Sequence, residues 1–197
     1  MYWVFVFGSI FAICGVNMAS NFSWQTVQDL FLVFVVILLP SILSLFIKKV
    51  LPEKFFDGTM EFFLPKKYEK SLFNKINIRS WKDKIPNWGN VGKDMAKDGQ
   101  IDVESIKNFI VQTCLGEIVH LFCMLSAMVS GVVLALNRPD LIFNMILPVV
   151  VVYAVINLLS VLIQRYNRPR LQILLNRLEK KNRDSEQEEY QKNNVTI

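Results

Sequence analysis

Residues Thr113–Leu136 read TCLGEIVHLFCMLSAMVSGVVLAL. The stretch is long and apolar enough to cross a bilayer as one helix, for which about 20 such residues suffice. Yet it carries Glu117 and His120, the latter the sole histidine of the chain. Ionisable groups at membrane depth are costly and are functional candidates by default. A spacing of three places both on one helix face.

The rest of the 197 residues fits this reading. Hydrophobic residues make up 52% of the chain, while the charges are clustered between apolar runs. That is the pattern of an all-α membrane protein. Four transmembrane helices are expected. Residues 1–49 hold the first two, an uncharged run over 1–19 and a second span over Leu30–Ile47 kinked at Pro40. Residues 50–112 form a polar segment in which aromatics alternate with lysines, read as lying on the bilayer surface with rings inward. Near its end, Asp102 has the position of a helix cap. Residues 113–170 hold the third and fourth spans, joined by the tight hairpin Asn137-Arg138-Pro139-Asp140, with Pro148 as a second kink. Residues 171–197 are expected to form an amphipathic helix on Leu171, Leu174, Leu175 and Leu178, followed by a disordered polar tail from residue 184. Cys14, Cys114 and Cys123 show neither metal spacing nor a paired framework and read as small packing residues.

Charge orients the spans. Lys48–Lys107 holds 13 basic residues and Arg165–Lys192 eight, leaving Arg138 as the only other. Both basic segments fall on one side of a four-span chain, which the positive-inside rule makes cytoplasmic. A multi-pass protein of the cell membrane with both termini cytoplasmic follows. The formal net charge of +5 suits anionic lipid or an anionic co-substrate. Nucleic acid is not expected as a partner, because the basic residues flank spans and no binding motif is present.

Depth can be counted outward from the hairpin. His120 lies 17 residues before Asn137, and Asn157 lies 17 after Asp140. The two should therefore meet, with Glu117 near Ser160. A neutral histidine oriented by a carboxylate can take a proton from an attacking hydroxyl. Asn157 is a candidate donor to a developing oxyanion. Arg165, Asn167, Arg168 and Arg170 follow at head-group level, where guanidinium forks suit phosphates. The set His120, Glu117 and Asn157 with these basic residues points to acyl transfer from a phosphate-bearing carrier to an alcohol. No HExxH, GxSxG or P-loop is present. No metal or bound cofactor is expected. Plainer readings exist for each element: a membrane histidine or asparagine can serve as interhelical glue, and an arginine run as a stop signal.

The run Gln164–Leu171, QRYNRPRL, resembles the glycosyl-4,4'-diaponeurosporenoate acyltransferase family, whose members acylate the sugar of a carotenoid glycoside. Three further blocks are similar to that family: Leu51–Phe56 (LPEKFF), Arg79–Pro86 (RSWKDKIP) and the Glu-x-x-His of Glu117–His120. The resemblance covers roughly residues 50–172 and adds Arg79, Trp81, Lys82 and Lys84 as candidates for substrate or carrier binding. It implies acyl-CoA or an acyl-carrier protein as co-substrate and a membrane lipid, a glycolipid or related lipid alcohol, as acceptor. The N-terminal span and the longer polar tail depart from the family pattern. Two other classes compete: a non-catalytic membrane scaffold or lipid-binding subunit, and an isoprenoid-diphosphate transferase, which would want an acidic Mg²⁺ cluster that does not accompany the arginines.

Overall fold

The structure, a computed structural model, describes residues 51–82 apart from Asp57, residues 102–195, and scattered positions before residue 51. The two N-terminal spans are described only at scattered positions, and Cys14, Pro40 and Lys84 lie outside the described residues. Among the described residues the chain is helical, without strands. A 3-10 turn at Glu53–Phe56 leads to helix α1 (Lys67–Lys75), the one-turn helix α2 (Ile78–Trp81), the long helix α3 (Val103–Asn137) and the longer α4 (Leu147–Val195).

Helix α3 begins where Asp102 accepts a hydrogen bond from the Ser105 amide at 2.8 Å, the cap read from sequence. The Ser105 hydrogen bonds hold the Asp102 carboxyl below its ordinary value of 3.8. The helix then runs without a break into the apolar stretch. It ends at Asn137, whose side chain donates to the Val133 carbonyl at 2.7 Å, and Pro139 cannot continue it. A 3-10 turn (Pro139–Leu141) and a π turn (Ile142–Ile146) make the hairpin. Pro148 is therefore the second residue of α4 rather than an interior kink: the π turn before it absorbs the missing amide hydrogen bond.

The C-terminal expectation is corrected. The fourth span, the RYNRPR run and the leucine-bearing segment form one helix, which continues to Val195 where a disordered tail was expected. Residues 171–195 contain no Gly or Pro and are rich in Glu, Lys, Arg and Gln, which favour helix. Pro169 sits inside α4 and frees only the carbonyl of Arg165.

Helices α3 and α4 pack antiparallel around two apolar clusters. Nearer the hairpin, Cys123 and Ala127 meet Met145, Val149, Tyr153 and Ile156. At the far end, Ile106, Ile110 and Cys114 meet Phe56 and Phe63, with Leu171, Leu174, Leu175 and Leu178 packed against them. Gly131 lets the helices approach closely, since a Cβ there would lie 2.6 Å from a Val150 methyl carbon. Gly58, at φ +79°, plays a similar part under Ile110.

Phe56, Phe63 and Phe73 are buried against protein, so these rings of the polar segment do not lie in lipid as expected. The segment instead folds back on the helix pair because its aromatics fill the wedge where α3 and α4 leave the apolar zone. The outward faces are the reverse of a soluble protein's. Leu125, Met128, Val129, Val132 and Val133 of α3, and Leu147, Val151 and Val155 of α4, are exposed. Charged Glu117 and Arg168 are buried. Both helices are long and apolar enough to cross a membrane. Exposed apolar faces around a polar interior suit membrane association.

Candidate functional site

Between the two apolar clusters lies a polar layer built from both long helices. Its first part is the pair that counting from the hairpin brings together: His120 Nδ1 lies 2.9 Å from Asn157 Oδ1. Asn157 Nδ2 donates to the Tyr153 carbonyl at 2.8 Å, which turns Oδ1 toward the imidazole. An amide oxygen only accepts, so Nδ1 carries the proton. The lone pair of the neutral ring is then on Nε2. Asn157 is buried and His120 partly so. This arrangement holds one tautomer, with the basic nitrogen directed away from its partner.

Two expected roles change here. Glu117 is not the orienting partner of His120, because its carboxylate is taken by arginines on α4. Asn157 is spent on the histidine and the Tyr153 carbonyl rather than poised as an oxyanion donor. Sequence spacing placed Glu117 and His120 on one face but could not rank the two arginines, about two and three turns beyond Asn157 on α4, above a histidine.

The second part is a chain of four alternating charges. Glu69 Oε1 accepts from Arg165 Nε at 2.8 Å; Arg165 donates to Glu117 Oε1 at 2.5 Å; Glu117 Oε2 accepts from Arg168 at 2.6 Å. Glu117 and Arg168 are among the most deeply buried side chains of the described residues. The two guanidiniums also satisfy the carbonyls of Phe62, Phe63 and Leu64, and Arg168 bonds the Thr113 hydroxyl and carbonyl. Arg168 lies 4.9 Å from the Phe63 ring centre. These bonds from both guanidiniums tie α1, the 62–64 turn, α3 and α4 together. Arg165 and Arg168, expected to grip phosphates, are committed to this network. Glu69 was not anticipated. It is the only acidic residue of α1, four positions before buried Phe73, and that spacing was its one sequence signal. Its Oε2 is buried and has no hydrogen-bond partner among the described residues.

The third part is a cleft of about 580 Å³ between α1, α2 and α4, walled by Lys66, Glu69, Lys70, Arg79, Tyr166 and Arg170. The left-handed Asn77, at φ 45°, turns the chain from α1 into α2 and so brings Arg79 to this wall. Asparagine tolerates that conformation better than most residues. Trp81 faces a different task, donating from its indole nitrogen to the Ile76 carbonyl at 2.9 Å, which clamps the turn. Arg170 stacks over Tyr166 with its guanidinium carbon 4.1 Å from the ring centre and also bonds the phenol. Tyr166 in turn meets Phe73 edge to face at 5.5 Å. Lys82 follows α2 and Asn167 is half-buried on α4, neither among the residues lining the cleft. The structure therefore divides the expected basic set: Arg79 and Arg170 line a cleft, while Arg165 and Arg168 are internal.

In the comparisons with known proteins, residues 52–177 match the family model described as glycosyl-4,4'-diaponeurosporenoate acyltransferase. No curated protein and no solved structure matches the chain. The match takes in the aromatic turn, the cleft, the charge chain and the His120–Asn157 pair.

Proposed function

The chain belongs to the glycosyl-4,4'-diaponeurosporenoate acyltransferase family, and from that premise we propose that it transfers a fatty acyl group from a thioester carrier to a hydroxyl of a membrane glycolipid, with His120 as general base. The observation that carries the mechanism is the His120–Asn157 bond, which leaves Nε2 as the proton acceptor. In the reaction Nε2 takes the proton of the acceptor hydroxyl as its oxygen attacks the thioester carbonyl carbon. The tetrahedral intermediate expels the thiolate, which recovers that proton from the imidazolium. Ester and free thiol are the products. Asn157 stabilises the imidazolium by accepting from Nδ1–H throughout, so the histidine never needs to rotate.

The cleft supplies the carrier's anchor. Tyr166 at its wall is nine residues beyond Asn157 on α4, a rise of about 14 Å. A pantetheine arm of about a dozen chain atoms, at the extended-chain reach of roughly 3.5 Å per three atoms, spans about 14 Å. A carrier whose phosphates sit among Lys66, Lys70, Arg79 and Arg170 would thus present its thioester at the depth of His120. Lys82, Trp81 and Asn167 would support this anchor, and Lys84 is a further candidate for carrier binding. The acceptor would enter from the bilayer between the exposed apolar faces. The full topology is four spans in the cell membrane, both termini cytoplasmic, with the cleft on the cytoplasmic side.

The test is lipid mass spectrometry on membranes of cells lacking the gene, restored with it, and restored with His120→Ala. One acceptor lipid should lose a single fatty-acyl mass on deletion and regain it only with the histidine present. Full restoration by a normally expressed His120→Ala variant would end the mechanism.

A further inference from the structure

We infer that the cleft between α1, α2 and α4 binds the nucleotide end of an acyl-CoA, its phosphates held by Lys66, Lys70, Arg79 and Arg170 and a hydrogen-bond donor of its ribose or base meeting the buried Glu69 carboxylate. This rests on the reading of the chain as an acyltransferase and selects between the two kinds of donor that reading allows.

Three observations converge on the ligand. First, four cations surround one cleft; Lys66 reaches Glu61 at 3.4 Å, while Arg79 and Lys70 have no ion pair among the described residues. Both are exposed, and the nearby carboxylates are already matched: Glu61 by Lys66, and Glu69 Oε1 and Glu117 by Arg165 and Arg168. The cleft therefore has an excess of positive charge of its own. A phosphopantetheine arm brings one phosphate; a CoA brings a diphosphate and a ribose phosphate, which suits four cations better.

Second, Glu69 is 5% exposed and its Oε2 lacks a partner among the described residues, although buried carboxylate oxygens are almost always satisfied. A carboxylate in the wall of a phosphate site repels the ligand unless the ligand also brings an N–H or O–H. Ribose hydroxyls and the adenine amino group bring them alongside phosphates. Third, the Arg170 guanidinium is stacked on Tyr166, which is braced by Phe73. That layer offers a flat cationic face to a purine. The cleft volume is within the range of about 300–1,000 Å³ usual for small-molecule sites.

The test uses the full chain in lipid nanodiscs of zwitterionic lipid and isothermal titration with CoA, adenosine 3',5'-bisphosphate and inorganic pyrophosphate. CoA and the bisphosphate should both bind, and pyrophosphate at least tenfold more weakly. Arg79→Ala and Arg170→Ala should each weaken CoA by tenfold or more. Both residues are exposed and outside the buried network, so these variants should keep their melting temperature. Glu69→Gln preserves the acceptor for Arg165 but turns Oε2 into a donor; it should erase most of the preference for the bisphosphate over pyrophosphate. His120→Ala should bind CoA normally. Failure of the folded wild type to bind either nucleotide overturns the inference, as does equal binding of pyrophosphate and bisphosphate. Transfer assays separate this from the parent reading. Turnover with an acyl-carrier protein but not with acyl-CoA overturns the nucleotide assignment alone. A membrane extract containing the acceptor that gives no turnover with either donor overturns acyl transfer itself.

Discussion

Glu117→Ala is the substitution that should expose how the polar layer is held. The carboxylate receives two charge-assisted bonds, 2.5 Å from Arg165 and 2.6 Å from Arg168. After truncation Arg165 keeps Glu69, so the loss falls on Arg168, whose side chain is 1% exposed. It would be left as a buried cation with only neutral acceptors, the Phe63 and Thr113 oxygens. Breaking a buried pair in this way costs about 3–5 kcal/mol. At about 1.4 kcal/mol per factor of ten, that is a hundredfold to several thousandfold in the folding equilibrium. For a chain of this size it corresponds to a fall in melting temperature of roughly 6–20 °C. Thermal denaturation followed by circular dichroism in detergent would measure it, beside His120→Ala as a control expected within a few degrees of wild type. The double variant Glu117→Leu with Arg168→Met should recover most of the loss, because apolar groups of similar volume replace a buried pair at little cost. A Glu117→Ala protein that melts like the wild type yet has lost turnover would refute this account. It would restore the carboxylate to the histidine-orienting role that its sequence spacing suggests.

Other outcomes follow from the same geometry. Asn157→Leu should lower kcat by about tenfold or more with KM little changed, since one buried hydrogen bond of ~1.4 kcal/mol no longer holds the tautomer; single-turnover kinetics in detergent would read it. Activity should fall as pH drops through the titration of His120, because imidazolium cannot accept the hydroxyl proton, and this acid limb should vanish from the residual rate of His120→Ala. Gly131→Leu should destabilise the hairpin end of the helix pair by about 1–3 kcal/mol, and Val150→Ala in the same chain should recover much of it. The Asp102 cap is strongest as a carboxylate, because a charged acceptor holds the Ser105 amide more tightly, and its folded pKa lies below the ordinary 3.8. The extra contribution of the ionised cap to α3 is therefore complete above that value and lost as pH falls through the lower folded one. Hydrogen exchange at Ser105 should stay slow at mildly acidic pH and rise below it in the wild type, and be fast at both in Asp102→Ala.

Much of this architecture is set by local rules that act along the chain. An uninterrupted apolar run makes a helix wherever backbone polar groups must be paired internally. Asp102 caps α3, Pro139 stops it, and a tight hairpin makes the next helix its antiparallel neighbour. From these alone the meeting of His120 with Asn157 can be counted, because rise per residue is constant in a helix. The leucines at 171, 174, 175 and 178 likewise declare a buried face, though not what buries it. What the sequence by itself leaves undecided is which charge pairs with which. Glu117 has His120 one turn away on its own helix and arginines on another. Only the packing of α4 across α3 puts two guanidiniums within 2.6 Å of it, where a full charge in a dry interior outbids a neutral ring. The same packing recruits Glu69 from a segment that reads as surface, and it divides four similar arginines into two that hold the fold and two that face a cleft. Pairings across elements depend on where side chains of distant residues arrive, and distance between helices is a property of the tertiary structure, not of any stretch of the chain.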